Sequence, residues 1–287
     1  AYANSATSDT CCGTNTASIT QTTAPGADTF ATTTVRGTAV TTNYYVSTVA
    51  AANTAGIGVS NGDMNAYVNQ TSNARVNAVA DADMCCNTDS GLVTAVAAGN
   101  SLSGSTYTAT SYVDFEQRSL GQDVVSSSET YAVTGSNVTG ISNAAGNTVV
   151  FKGEYGYSDV AGYQENRSYI QSQTYVNLDN GFGNQSAVSY GVGNSALLSN
   201  LGSDARLDVT QNNFNGVYSY SEMTAANLNG GAGYASATAI GNAATNSVCT
   251  TCGGGAPQGQ SLQYNYNPVT AVARVSSPGS SGSVGGS

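Results

Sequence analysis

The chain repeats itself about every 47 residues, and that period limits what it can fold into more than any other feature. Ala97-Ala98-Gly99-Asn100 returns as Ala144-Ala145-Gly146-Asn147, as Gly191-Val192-Gly193-Asn194 and as Ala239-Ile240-Gly241-Asn242, and Ala50-Ala51-Ala52-Asn53 is an earlier copy. The closing residues Asn53, Asn100, Asn147, Asn194 and Asn242 lie 47, 47, 47 and 48 apart, and Asn4 stands 49 before the first. A glutamine column keeps step: Gln21, Gln70, Gln117, Gln164 and Gln211 are spaced 49, 47, 47 and 47, with Gln260 (or Gln258) continuing it. Each Asn precedes its Gln by 17 residues in the first five units. Two columns in step imply one repeat domain over residues 1–275, with units starting near 4, 53, 100, 147, 194 and 242. The Gly/Ser-rich residues 276–287 read as a flexible tail.

Within a unit the pattern is that of short strands. Residues 204–211 alternate as a half-buried strand does, and Asn212–Gly216 reads as a turn. Residues 217–224 form a second strand, 227–233 a loop and 234–240 a third strand, after which Gly241-Asn242 turns into the next unit. Three architectures share this pattern: a β-solenoid (β-helix) with one wide coil or two narrow ones per unit, a six-bladed propeller, and a long antiparallel meander. Propeller blades need four strands and bulky cores, whereas the buried positions here would be Ala, Val, Ser and Thr. Small residues suit a solenoid, whose coils lie about 4.8 Å apart. An all-β solenoid of six units with about three short strands each is therefore expected. Its recurring amides would stack coil on coil as Asn and Gln ladders. The Gly before Asn100, Asn147, Asn194 and Asn242 is expected to supply a positive φ at the corner.

The cysteines match the ends of such a rod. Cys11 follows Asn4 by seven residues and Cys249 follows Asn242 by seven, so they hold the same place in the first and last units. The first unit begins within four residues of Ala1 and neither end reads as a polar cap, which suggests head-to-tail stacking of copies into a homopolymer. Cys249 and Cys252 of one copy would then face Cys11 and Cys12 of the next, close enough for interchain disulfides. A local Cys249–Cys252 bond or a thiolate zinc site are the alternatives. Cys85-Cys86 has no partner column and could form a vicinal disulfide or a lateral contact. An even cysteine count in a polar repeat suggests an oxidising, extracellular setting, and the start at Ala1 without Met suggests earlier processing.

Composition narrows the chemistry. Histidine is absent, so Ser-His-Asp and Cys-His catalysis and imidazole metal sites are excluded. Lys152 and six scattered arginines form no basic cluster, which argues against nucleic acid as a partner. No apolar run approaches the length of a transmembrane helix. Carboxylates are the remaining catalytic candidates. Asp114 and Asp208 share a column and Glu116 and Glu165 flank their glutamines, but none clusters with a base, so solvated surface charge and no catalysis are expected. Asp81, Asp83 and Asp89 match no Ca²⁺ loop, and no cofactor is expected. The 18 tyrosines are expected along strand faces, offering stacking surface to sugars or neighbouring subunits.

The Ala/Gly-x-Gly-Asn and Val209-Thr210-Gln211-Asn212 patterns, in an Ala/Ser/Thr/Asn-rich alternation, resemble secreted bacterial surface fibre proteins. The likeness spans nearly the whole chain. It is closest to the holdfast-anchor type and more distant to curlin-type amyloid fibre subunits. The resemblance implies an extracellular or cell-surface adhesive fibre without catalysis, whose partners are its own copies and a surface polysaccharide or anchor protein. A polysaccharide-binding or polysaccharide-cleaving monomeric β-helix and a surface-layer protein are the other readings the residues leave open.

Overall fold

The computed structural model describes all residues except 39–40, 280–282 and 287, and leaves undescribed the side chains of 41, 42, 86–88, 250 and 284. Its strands in chain order are β1 (Tyr2–Cys11), β2 (Asn15–Thr23), β3 (Thr29–Gly37), β4 (Thr41–Ser60), β5 (Asp63–Ser72), β6 (Val76–Tyr107), β7 (Thr110–Ser119), β8 (Asp123–Glu154) and β9 (Ser158–Asn166). They continue as β10 (Tyr169–Gly181), β11 (Asn184–Leu201), β12 (Ala205–Asn213), β13 (Val217–Leu228), β14 (Ala232–Cys249), β15 (Pro257–Asn265), β16 (Val269–Ser276) and β17 (Ser283–Gly286). Every strand pairing is parallel, and partners are one repeat apart, as in Asn100 beside Asn147 and Gln117 beside Gln164. This is the β-solenoid, with one wide coil per repeat.

Each coil is flattened and has four faces. Face A is the six-stranded sheet β2-β5-β7-β9-β12-β15. Face B stacks β3, the starts of β6 and β8, β10, β13 and β16. Faces C and D are the two halves of β4, β11 and β14 and the matching parts of β6 and β8, with β1 beginning face D and β17 ending face C. Faces B and C enclose one core, including Val76, Ala80, Val93, Ile170 and Ala187. Faces A and D enclose the other, including Met64, Leu102, Phe115, Phe151 and Leu198. Inward positions alternate with outward ones along each strand, so every buried side chain lies near its own copies in the coils above and below.

Faces C and D meet at the Gly-Asn step without a break in the strand. Alternation fails there: Gly191, Val192, Gly193 and Asn194 are all buried, because the strand bends and both of its sides turn inward. The glycines of this column do not have positive φ, which corrects the reading from sequence. They are needed for close approach. A Cβ on Gly193 would meet the Gly241 carbonyl oxygen at 2.5 Å and Asn213 Oδ1 at 2.7 Å, and one on Gly146 would meet the Gly193 oxygen at 2.5 Å. Left-handed residues mark a different corner, where face D turns into face A: Cys12, Asn61, Thr108 and Tyr155 have φ of 63°, 54°, 47° and 56°, and Gly202 follows at 77°. Successive backbone bonds run up this corner, from Asn61 N to Tyr107 O and from Thr108 N to Glu154 O.

Gly279 and Ser283–Gly286 lie against the coil before them. Gly279 N donates to Ala226 O at 3.1 Å, Ser283 N donates to Gly231 O at 3.2 Å, and β17 pairs with β14.

Candidate functional site

The two asparagine and glutamine columns meet at the waist between the cores. Asn4 Nδ2 donates to Asn53 Oδ1 at 2.8 Å, and the chain continues through Asn100, Asn147 and Asn194 to Asn242 at 2.7–2.8 Å. Side-chain amides alone could point either way along this column. The backbone decides, because the same Nδ2 also donates across the coil to a face A carbonyl: Asn100 to Arg118 O, Asn147 to Glu165 O and Asn194 to Asn212 O. Glutamines return the span. Gln117 Nε2 donates to Thr148 O on face D and Gln164 Nε2 to Ser195 O, while each also donates to the glutamine one coil earlier. Asn53, Asn100, Asn147 and Asn194 are fully buried, as are Gln70, Gln117, Gln164 and Gln211. A buried amide without partners is costly, so these satisfied ladders tie the two sides of the coil together and hold its register.

The ladders run in opposite directions. Asparagines donate toward the C-terminal coil and glutamines donate toward the N-terminal one. The first coil consequently presents the Asn4 oxygen and the Gln21 amide group on its outer edge, and the sixth presents the Asn242 amide group and an oxygen at the end of the glutamine column. Acceptor and donor are exchanged between the two edges.

The residue that ends the glutamine column is Gln263. Gln263 Nε2 donates to Gln211 Oε1 at 2.9 Å, whereas Gln260 pairs with Asp208 and is exposed, which corrects the assignment from spacing. The sixth coil carries extra residues in the turn before β15, where the short 3₁₀ turn Thr250–Cys252 lies, so counting from Asn242 lands short. A third ladder escaped the sequence reading: Asn166 donates to Asn213 at 2.7 Å and Asn213 to Asn265 at 2.6 Å. Its signal was present, since Asn166 and Asn213 are themselves one period apart.

Among the cysteine alternatives, this chain has the local bond: Cys249 and Cys252 are disulfide-linked, with Cα atoms 5.4 Å apart. Cys11 and Cys12 are free and exposed, with their sulfurs 2.7 Å apart. Cys85 is itself in a disulfide, and the side chain of Cys86 lies outside the described residues. The cysteine register expected from sequence is present, since strand pairing places Cys11, Ser60, Tyr107, Glu154, Leu201 and Cys249 in one column.

Outside the waist, carboxylates sit beside arginines. Glu116 pairs with Arg118 and Asp208 with Arg206, both at 2.5 Å and each two residues away on one strand face, and Glu165 at the end of β9 pairs with Arg167 just beyond it. Arg75 reaches Asp123 in the next coil at 3.0 Å. Asp114 and Asp208 share their column with Ala161 between them. Among the described residues no three acidic or cysteine side chains converge as a metal site, and no helix is long and apolar enough to cross a membrane.

A parallel solenoid with buried amide ladders is the class that fold and site define. Over residues 1–216 the sequence matches the family described as holdfast attachment protein D, HfaD, and the chain belongs to that family. Neither a curated protein nor a solved structure matches it.

Proposed function

We propose that this chain is a non-catalytic cell-surface attachment protein whose copies stack head to tail into a fibre. Family membership supports the attachment role and a place at the cell surface among holdfast components. The observation that carries stacking is the exchange of donor and acceptor between the end coils. With one copy above another, the Asn242 amide group meets the Asn4 oxygen, and the Gln21 amide group meets the Gln263 oxygen. All four faces then continue: β1 over the second half of β14, β2 over β15, β3 over β16, and the start of β4 over β17. Head-to-head contact would set oxygen against oxygen in the asparagine column. The joint does without one backbone donor. Ser111, Ser158 and Ala205 each donate to the following coil, and Pro257, next in that column, has no N–H. Pairing of carboxylates with neighbouring arginines supports the absence of catalysis.

Negative-stain electron microscopy of the purified protein tests the proposal. Stacking gives polar filaments with an axial repeat of about 29 Å, six coils at about 4.8 Å each. Single particles at every concentration would overturn it. A second reading, sugar binding by a single copy, is favoured by the exposed Tyr67, Tyr112 and Tyr264 on face A. It is tested by glycan binding that survives when filaments are prevented.

A further inference from the structure

We propose that Cys11 of one copy attacks the Cys249–Cys252 disulfide of the copy beneath it, making the joint between stacked copies covalent. The inference rests on the head-to-tail reading and adds a chemical step to it. Cys11 and Cys249 close one outward-facing column, each seven residues after its ladder asparagine. Continuing the Asn242–Asn4 ladder across the joint therefore brings their Cα atoms to about the strand spacing of 4.8 Å. That lies inside the range a disulfide spans, about 4.4–6.8 Å between Cα atoms. The upper copy's own Cys249 ends this column in its last coil, so Cys11 is the cysteine of the column that faces the joint.

Both reactants are prepared. Cys11 and Cys12 are exposed free thiols on the outer edge of the first coil. Cys12 sits at the left-handed corner, φ 63°, and its sulfur lies 2.7 Å from that of Cys11. Cys12 is held above its ordinary pKa, first by its hydrogen bond to Cys11, then by the charge on Cys11 and by burial. Of these two exposed thiols Cys11 is the nucleophile, because it lies in the column that Cys249 continues across the joint. The electrophile closes the turn immediately after β14, and Cys252 is exposed, as a leaving group in this reaction must be.

The step balances without an oxidant. The Cys11 thiolate forms a bond to the Cys249 sulfur, the Cys249–Cys252 bond breaks, and Cys252 leaves as a thiolate that takes up the proton Cys11 lost. One disulfide is consumed and one formed, so two free thiols remain at the joint, on Cys12 and Cys252. Return attack by Cys252 reverses the link.

The test uses the full chain purified with its disulfides intact, assembled, and alkylated before denaturation. Expected on a non-reducing gel is a ladder of oligomers that reductant collapses to monomer, with peptide mapping that joins Cys11 to Cys249 and finds Cys252 alkylated. Cys11→Ser keeps filaments by electron microscopy but lowers the linked fraction by about tenfold or more, while Cys12→Ser keeps the link. Filaments that run only as monomer on that gel, or a Cys11–Cys11 link, overturn the exchange and leave stacking in place. Single particles under all conditions remove stacking and the exchange together.

Discussion

Asn147 donates one N–H of its amide to Asn194 Oδ1 at 2.8 Å and the other to Glu165 O at 2.8 Å, so a single buried side chain joins two coils and the two sides of one coil. It also accepts from Asn100. Asn147→Ala leaves the Asn194 oxygen, the Glu165 carbonyl and an Asn100 N–H without their partner, at a cost of about 3 kcal/mol or more in unfolding free energy. Asn147→Asp costs more at neutral pH, because it sets an acceptor against both oxygens. Urea unfolding monitored by circular dichroism reads both variants. A midpoint unchanged from the parent would show that the ladder does not hold the fold.

Glycine in the column before the asparagines is a matter of space. Gly193→Ala places a Cβ 2.5 Å from the Gly241 oxygen, where only backbone could give way, and is expected to cost about 3 kcal/mol. Gly13→Ala, at a site with nothing within 4 Å, is expected to be nearly neutral. Thermal melts of the two variants side by side check the contrast. Equal losses would refute the close-approach argument.

Tyr44 lies across Gly91, so near that a Cβ there would touch its ring at 2.0 Å, and its hydroxyl is buried without a partner. Burial pushes its pKa up to about 12. An unfolded phenol ionises near pH 10. Between the two values the unfolded chain releases the proton and the folded chain keeps it, so the stability Tyr44 contributes is whole below about pH 10 and is lost as pH rises toward 12. Tyr44→Phe removes both the orphaned hydroxyl and the titration. Tyr220, also raised to about 12, first by burial and then by its bond to Glu222, titrates in both proteins and cancels in the comparison. Denaturant midpoints at about pH 9 and about pH 11.5 are expected to fall less for the Phe variant. Equal falls would mean that the ring is solvated.

Ser261 shares the outward-donating alternation of Pro257, four residues earlier on β15. Ser261→Pro removes an N–H that serves only the next copy, so the variant is expected to keep its circular dichroism spectrum and melting temperature while losing filaments. Filaments that persist unchanged would place the joint elsewhere than on β15.

How much of this was legible beforehand follows from what a repeat records. The 47-residue interval reports the contour length of one coil, and the Asn and Gln columns report which side chains meet their copies, so the solenoid, all six asparagines of one ladder and the first five glutamines of the other could be read from spacing. Spacing failed where a turn changed length without changing the strands. The residues added around Cys249–Cys252 moved the last rung from Gln260 to Gln263. Spacing was also silent on Ser283–Gly286, whose Gly/Ser composition gives no apolar signal because backbone hydrogen bonds pair these residues with β14.

The sequence by itself determined the period, the wide coil's amide columns and the register that places Cys11 and Cys249 alike. These depend only on the order of residues along a chain that must lie over itself every 47 positions. Tertiary structure alone decided why Gly193 has no side chain, which thiols are bonded, and that the two ladders point in opposite directions. The Gly241 carbonyl that crowds Gly193 and the Glu165 and Ser195 carbonyls that orient the amides belong to neighbouring strands. Their positions exist only once the coils are stacked.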